Sequence, residues 1–183
     1  MKKLLPLLAL ILMVIPASAQ MHGKGHPVDH ILTPASKQAK AEGKNVLVMF
    51  HASWCTWCHR MDDWLTKNDQ GKMVAKSLVI VHITVMEDEK HKADENPGGA
   101  ELLEKLGGAK TGIPFFAILT PEGKMIANSN PNTDKPGNIG FPVEKDEIAH
   151  FIKMLKMGTK LSAEQLEAAS KSLWENGAQF RKD

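Results

Sequence analysis

The chain passes from a strand into a helix at Trp54-Cys55-Thr56-Trp57-Cys58-His59. The strand is predicted at 45–50, where a continuous apolar and β-branched run is typical of burial on both faces. We expect the helix to begin at Cys55, which places unpaired backbone N–H groups and the positive end of the helix dipole at its sulfur. Because this setting lowers the pKa of a thiol, the pattern predicts that Cys55 is the attacking thiolate.

The second cysteine of the pair, Cys58, lies one helical turn further on the same side and within bridging distance of Cys55. Its deeper position predicts that it resolves a mixed disulfide rather than starting one. The chain has only these two cysteines, and the loop between them is too short to stabilise a fold of 183 residues. A zinc site would need a second Cys or His pair at suitable spacing, which the sequence lacks. We therefore interpret the pair as redox-active and predict no metal or other cofactor.

A second motif, Thr111-Gly112-Ile113-Pro114-Phe115, lies far along the chain. A proline directly before a buried strand is unusual in a sheet. The Ile113–Pro114 bond can be cis at modest cost, and a cis bond exposes the backbone of Ile113 for strand-like pairing. By itself this proline could simply start an edge strand. The cysteine pair favours the functional interpretation.

Hydrophobic periodicity and capping signals predict the remaining elements. Polar stretches at 87–99 and 128–142 are predicted as loops, and we expect Asp62, Asp63 and the charges of 87–95 to be solvated. Further helices are predicted at 34–42, 100–106, 144–157 and 163–177, the last of which opens with a capping box of Ser162 and Gln165. Further strands are predicted at 78–85, 115–119 and 124–127, of which the last two form a hairpin. The strand–helix–strand order predicts a parallel pair.

Together, W-C-x-x-C after a buried strand and G-I-P before a hairpin resemble the thioredoxin family over residues 44–127. The resemblance implies an α/β thioredoxin fold, with a central mixed sheet flanked by helices and here extra C-terminal helices. It implies that Cys55 attacks, Cys58 resolves, and Pro114 is cis beside the sulfurs, with Ile113 pairing with a substrate strand. Trp54 would form an exposed landing surface for substrate, and Trp57 either shares that role or packs against the fold.

The sequence is more similar to bacterial periplasmic thioredoxin-like oxidoreductases than to cytosolic thioredoxin, but it departs from the family in two places. Met49 stands six residues before the first cysteine, where thioredoxins carry a proton-transferring aspartate. The lysine that partners this aspartate in thioredoxins falls at His82. We consider two roles for His82: a proton shuttle, or a core histidine whose hydrogen bonds are satisfied. The dipeptide Thr56-Trp57 and the placement of His59 outside the cysteine pair favour a reductant.

The N-terminal segment 1–19 has a basic start, a short apolar run and small residues before Gln20. This pattern predicts a signal peptide cleaved near Ala19/Gln20, and hence a periplasmic or secreted protein. Residues 20–32 are predicted to be a flexible tail, with His22, His26 and His30 solvated rather than bound to metal. We assign 33–160 to the thioredoxin-like domain and 161–183 to a C-terminal helical extension.

A net charge of +2 and the absence of basic–aromatic clusters exclude a nucleic-acid-binding function. The expected partners are proteins with disulfides or thiols and a membrane-bound electron donor, and we expect a monomer. Two alternatives remain at this point. The chain could be a binding module that keeps a static disulfide, or a copper-handling thiol protein.

Overall fold

The computed structural model describes residues 21–22, 25–132 and 134–181, with the backbone alone described at 21–22. The predicted signal peptide (1–19), its cleavage site and the side chain of His22 lie outside the described residues. None of the helices within these residues has the length and hydrophobicity needed to cross a bilayer.

The centre of the molecule is one mixed sheet. Its strands, in chain order, are β1 (Met21–His22), β2 (Asn45–His51), β3 (Leu78–Thr84), β4 (Phe115–Leu119) and β5 (Met125–Asn128). In space their order is β1-β3-β2-β4-β5. Strand β3 runs parallel to β1 and β2, whereas β4 runs antiparallel to β2 and β5. The predicted parallel pair (β2 and β3) and the predicted hairpin (β4 and β5) are therefore confirmed.

One side of the sheet, here called the α1 face, is covered by helices α1 (Val28–Glu42) and α4 (Gly99–Lys105). Because side chains alternate along a strand, Val46, Val48 and Phe50 of β2 point to this face. The prediction of a flexible segment up to residue 32 and a helix from residue 34 is wrong, because α1 already begins at Val28. Its buried side chains, Ile31, Ala35 and Ala39, recur every fourth residue and anchor the additional turns to the sheet.

The opposite side, the α2 face, is covered by α2 (Thr56–Lys67), α3 (Asp69–Lys76), α5 (Lys145–Gly158) and α6 (Ala163–Gly177). Helix α3 had no counterpart among the predicted elements. Asn68 creates its start, since its side-chain oxygen accepts hydrogen bonds from the N–H groups of Gln70 and Gly71. The predicted capping box of Ser162 and Gln165 is present at the start of α6.

These layers confirm the predicted fold class, a thioredoxin-like α/β sheet flanked by helices and followed by C-terminal helices. The carboxyl end of β2 lies in the middle of the sheet, and the chain leaves it through a short loop into α2. Residues of this loop and of the first turn of α2 form the candidate site.

Candidate active site

The two cysteines lie at the start of α2 and form a disulfide. Cys55 is the N-cap residue, as predicted, and its Sγ accepts a hydrogen bond from the Cys58 N–H (3.2 Å). Both side chains are buried, Cys58 completely. The sulfur of Cys55 therefore lies where unpaired N–H groups at the helix start would stabilise a thiolate after reduction.

The Ile113–Pro114 segment lies against the disulfide. The carbonyl oxygen of Ile113 is 3.6 Å from the Sγ of Cys55, and the Ile113–Pro114 peptide bond is cis. Asn138, which belongs to no sequence motif, fixes this segment: its Nδ2 donates to the carbonyls of Gly112 (2.6 Å) and Pro114 (2.9 Å). Residues predicted from two distant motifs thus meet at one place.

Trp54 directly precedes Cys55, and 55% of its surface is exposed. Its indole N–H donates to the carbonyl of Met86 (2.7 Å), which sets the direction of the ring. Met86 has a positive φ of 56°, unusual for a residue other than glycine, and its own side chain is 41% exposed. Both side chains thus expose apolar surface, and the hydrogen bond links Trp54, the residue before Cys55, to the backbone of Met86.

Ser53, one residue earlier, is tied on each of its polar groups. Its N–H donates to Oε1 of Glu87 (2.7 Å) and its hydroxyl donates to Oε2 (2.6 Å). Its carbonyl accepts a hydrogen bond from Nε2 of His59 (2.8 Å). The expectation that the charges of 87–95 are all solvated is therefore wrong, since Glu87 is only 8% exposed and holds the loop that leads to Cys55.

Trp57, between the cysteines, is 40% exposed and packs against residues from the end of the chain. Its ring stacks on Phe141 (centroids 6.3 Å apart) and meets Phe180 edge to face (5.2 Å). The Arg60 guanidinium lies over both Trp57 (4.7 Å) and Phe180 (3.6 Å). Trp57 is therefore partly a packing residue, although a large part of its ring faces solvent.

His82 lies on β3 opposite the buried Met49 of β2. Its Nε2 is 2.8 Å from Oδ1 of Asp62, which lies one helical turn after Cys58 on the same side of α2. The ring of His51 meets that of His82 edge to face at 5.2 Å. The expectation of a solvated carboxylate is wrong for Asp62, because its partner comes from a strand, whereas Asp63 is exposed and pairs with Lys67 (2.7 Å).

The imidazoles of His26 and His30 are exposed. Within residues 25–132 and 134–181, no three His, Cys, Asp or Glu side chains converge in a way that could hold a metal ion.

The chain is similar to one protein family and to several solved structures. Residues 31–121 match a protein family described as thioredoxin-like, and this range includes both cysteines and Pro114. Among solved structures, the chain is similar to a disulphide isomerase from Xylella fastidiosa Temecula1, with 19% identity over 82% of this chain and 88% of the other, and a TM-score of 0.45. It is also similar to a DsbH oxidoreductase (20% identity, 81% and 94% covered, TM-score 0.42). A thioredoxin from Thermus thermophilus shows 21% identity, with 74% and 86% covered and a TM-score of 0.42.

Proposed function

Because the chain belongs to the thioredoxin-like family and carries a Cys55–Cys58 disulfide, it is a thiol–disulfide oxidoreductase, and we propose that it is an exported reductant of protein disulfides. The observation that carries the proposal is the position of the disulfide. It caps the start of α2 and lies against the Ile113–Pro114 segment, with Cys55 3.6 Å from the Ile113 carbonyl.

The proposed reaction begins with the reduced protein. The Cys55 thiolate attacks one sulfur of a substrate disulfide, so that a Cys55–substrate bond forms, the substrate S–S bond breaks, and the departing thiolate takes up a proton. The Cys58 thiol then loses its proton and attacks the Cys55 sulfur, which releases the second substrate thiol and leaves the Cys55–Cys58 disulfide. Two electrons have passed to the substrate. A membrane-bound thiol donor would restore the dithiol.

Substrate would bind over the exposed edge of the site. Trp54 and Trp57 offer indole surface on both sides of the cysteines, and large aromatic surfaces contribute strongly to binding. Ile113 is partly exposed next to Cys55 and would pair through its backbone with an extended substrate segment. We assign substrate binding to Trp54, Trp57, Ile113 and Pro114.

We assign the proton transfer at Cys58 to His82, acting together with Asp62. Support comes from their 2.8 Å contact and from the placement of Asp62 one turn after Cys58. Met49, at the position of the family's aspartate, has no group that can carry a proton. Replacing Asp62 by Asn should slow resolution of the mixed disulfide and alter its pH dependence between about pH 6 and 9, whereas Asp63→Asn should change neither. Identical pH profiles for the two variants, and for His82→Ala, would remove this assignment.

Export rests on residues 1–19, and the direction of electron flow rests on the cysteine environment. N-terminal sequencing of the secreted protein should begin near Gln20.

Thr56-Trp57 places no imidazole between the cysteines, so that the Cys55 thiolate lacks a strong stabilising partner within the pair. A less stable thiolate favours the disulfide form of the protein and thus a stronger reductant.

The decisive experiment is a titration of the Cys55–Cys58 couple with glutathione or dithiothreitol, followed by tryptophan fluorescence, together with insulin reduction. A potential near about −270 mV supports a reductant, and one near about −120 mV would make the protein a disulfide donor. Cys58→Ser should trap a mixed disulfide with substrate, and Cys55→Ser should not. A disulfide that no thiol reduces would instead support a binding module, and stoichiometric copper binding would support a metal-handling protein.

A further inference from the structure

The carboxylate of Glu87 is buried at the entrance to α2, and no cation among the residues that the structure describes pairs with it. It is 8% exposed, and both of its oxygens accept hydrogen bonds from Ser53, a neutral residue. Lys92 of the same loop pairs instead with Glu95 (2.9 Å), and Glu95 in turn accepts a hydrogen bond from the Glu87 N–H (2.8 Å). Glu87 therefore places a negative charge next to the start of α2. The neutral donors of Ser53 stabilise this charge through hydrogen bonds but do not neutralise it.

The location of this charge matters because Ser53 lies two residues before Cys55. The helix start favours negative charge on the Cys55 sulfur through its free N–H groups and its dipole. A second negative charge held at the same end of the helix disfavours the thiolate, and in a poorly hydrated setting this repulsion is only weakly screened. The reduced protein carries that thiolate, whereas the disulfide form does not.

We propose that Glu87 is a positioning and tuning residue, whose buried carboxylate destabilises the Cys55 thiolate and so makes the Cys55–Cys58 couple a stronger reductant. The inference builds on the proposed thiol–disulfide exchange. The half-reaction is a disulfide plus two electrons and two protons giving a dithiol, of which Cys55 releases one proton at higher pH. Glu87 acts on the Cys55 thiolate that this proton release forms, and it takes no part in making or breaking bonds.

Other charged and titratable groups lie on the elements around the cysteines and must be kept constant in any test. His59 is held to the Ser53 carbonyl, Arg60 lies over the Trp57 ring, and Asp62 pairs with His82. Because α2 carries three of these groups and β3 carries the fourth, a substitution at Glu87, which lies after β3, changes the charge of none of them. The change in the Cys55 thiol can then be attributed to the loop.

The test is Glu87→Gln in the full mature protein. Gln keeps the shape of Glu and an oxygen that accepts from the Ser53 N–H, but it removes the charge. We expect the equilibrium constant with glutathione at about pH 8.5 to shift about tenfold towards the dithiol, a rise of about 30 mV for a two-electron couple. The Cys55 pKa, measured in a Cys58→Ser background, should fall by about one unit. The shift in potential should shrink as the pH falls below that pKa.

Three controls separate charge from geometry. Ser53→Ala removes a hydrogen bond but keeps the carboxylate, so it should move the Cys55 pKa less than Glu87→Gln does. Glu95→Gln removes a charge that Lys92 already pairs with, and Asp88→Asn removes a fully exposed one beside His91, so both should have little effect. If Glu87→Gln does not fold, Ser53→Ala is compared with the double Ser53→Ala/Glu87→Ala variant: the pair differs by the carboxylate, and water can replace it as the acceptor for the N–H of residue 53, which is an exposed residue.

A Cys55 pKa that is unchanged in Glu87→Gln, or that shifts equally in Ser53→Ala, would overturn the proposal. The outcome is distinguishable from failure of the proposed function. A wild-type potential near that of a disulfide donor would remove the reductant assignment, while a Glu87-dependent pKa would still uphold the tuning role. Because the pKa is measured on a single thiol, it is informative even if the disulfide resists titration.

Discussion

The two faces of the sheet are built from different parts of the chain. The buried cluster on the α1 face is formed by residues between Ile31 and Leu119, all within the segment that matches the thioredoxin-like family. The cluster on the α2 face begins at Leu47 but extends to Leu173. Half of the fold is therefore complete within the matched segment, and the other half is completed by residues that follow it.

This difference bears on function because the helix that carries the cysteines packs on the α2 face, next to the small buried cluster that Cys55 and Cys58 form with Ala52. Helix α2 buries Met61, Trp64 and Leu65 in the same cluster as residues of α5 and α6. The Trp64 indole N–H donates to the hydroxyl of Ser172 (3.0 Å) in the buried interior. The C-terminal helices thus support the helix that carries the redox disulfide, and the predictions below test how much each face depends on them.

The largest effect is expected from removing α6. A chain that ends before Ser162 loses the buried apolar side chains of Leu166, Ala169 and Leu173 and uncovers the apolar surface of α2 and α5. Since the net stability of a domain is only about 5–15 kcal/mol, we expect loss of cooperative thermal unfolding and of near-ultraviolet circular dichroism. A chain that ends after Arg181 is the control. An unchanged midpoint in the shorter chain would mean that α6 is an appendage.

A finer comparison uses one leucine from each face. Leu173 of α6 and Leu103 of α4 are both buried, one on each side of the sheet. Replacing either by Ala should lower the free energy of unfolding by about 2–5 kcal/mol, measured by urea denaturation, because each leaves a cavity. A cost at Leu173 below about 1 kcal/mol would show that the α2 face does not rely on its C-terminal part.

The next effect is local to the active site. Phe180 contacts Trp57 and the Arg60 guanidinium. Phe180→Ala should therefore lower the free energy of unfolding by about 0.5–1.5 kcal/mol beyond the effect of the lost buried area. In a Trp54→Phe/Trp174→Phe background, Trp57 is the exposed indole, and we expect acrylamide to quench it more strongly after Phe180→Ala. Phe180→Tyr keeps the ring and should behave like the parent. Equal quenching in all three would show that the C-terminal turn does not shield Trp57.

Local patterns were sufficient to predict the parts of the structure that depend on neighbouring residues. The apolar run before His51 became β2, the helix began directly after Cys55, and Ser162 and Gln165 formed their capping box. Each of these features is decided within a few residues, where propensity, capping and burial all favour the same structure.

The side-chain partners of the site could not be predicted in this way. Asp62 and Glu87 were expected to be solvated because a charge in a polar stretch usually is, yet Asp62 meets His82 and Glu87 meets Ser53. These partners are 20 and 34 residues away, and they meet because β2, which leads into Ser53 and α2, pairs with β3, which carries His82 and leads into Glu87. Asn138, whose amide fixes the Pro114 segment, carries no distinguishing local signal at all.

The smallest effect is expected at the start of β2, where the ends of α1 and α5 meet. There Asn45 Nδ2 donates a hydrogen bond to the Gly158 carbonyl (2.9 Å). There Glu42 accepts hydrogen bonds from Lys44 and Gln38, which lower the pKa of its carboxyl group. A lowered folded-state pKa stabilises the protein above the unfolded pKa, and this contribution is lost as the pH falls through the folded value. Glu42→Gln should therefore cost less than about 1 kcal/mol at pH 7 and nothing in acid, measured by thermal unfolding. Glu122→Gln, which breaks an exposed pair with Lys40 (4.0 Å), is the matched control and should cost little at pH 7. A pH-independent cost at Glu42 would mean that its charge contributes nothing there.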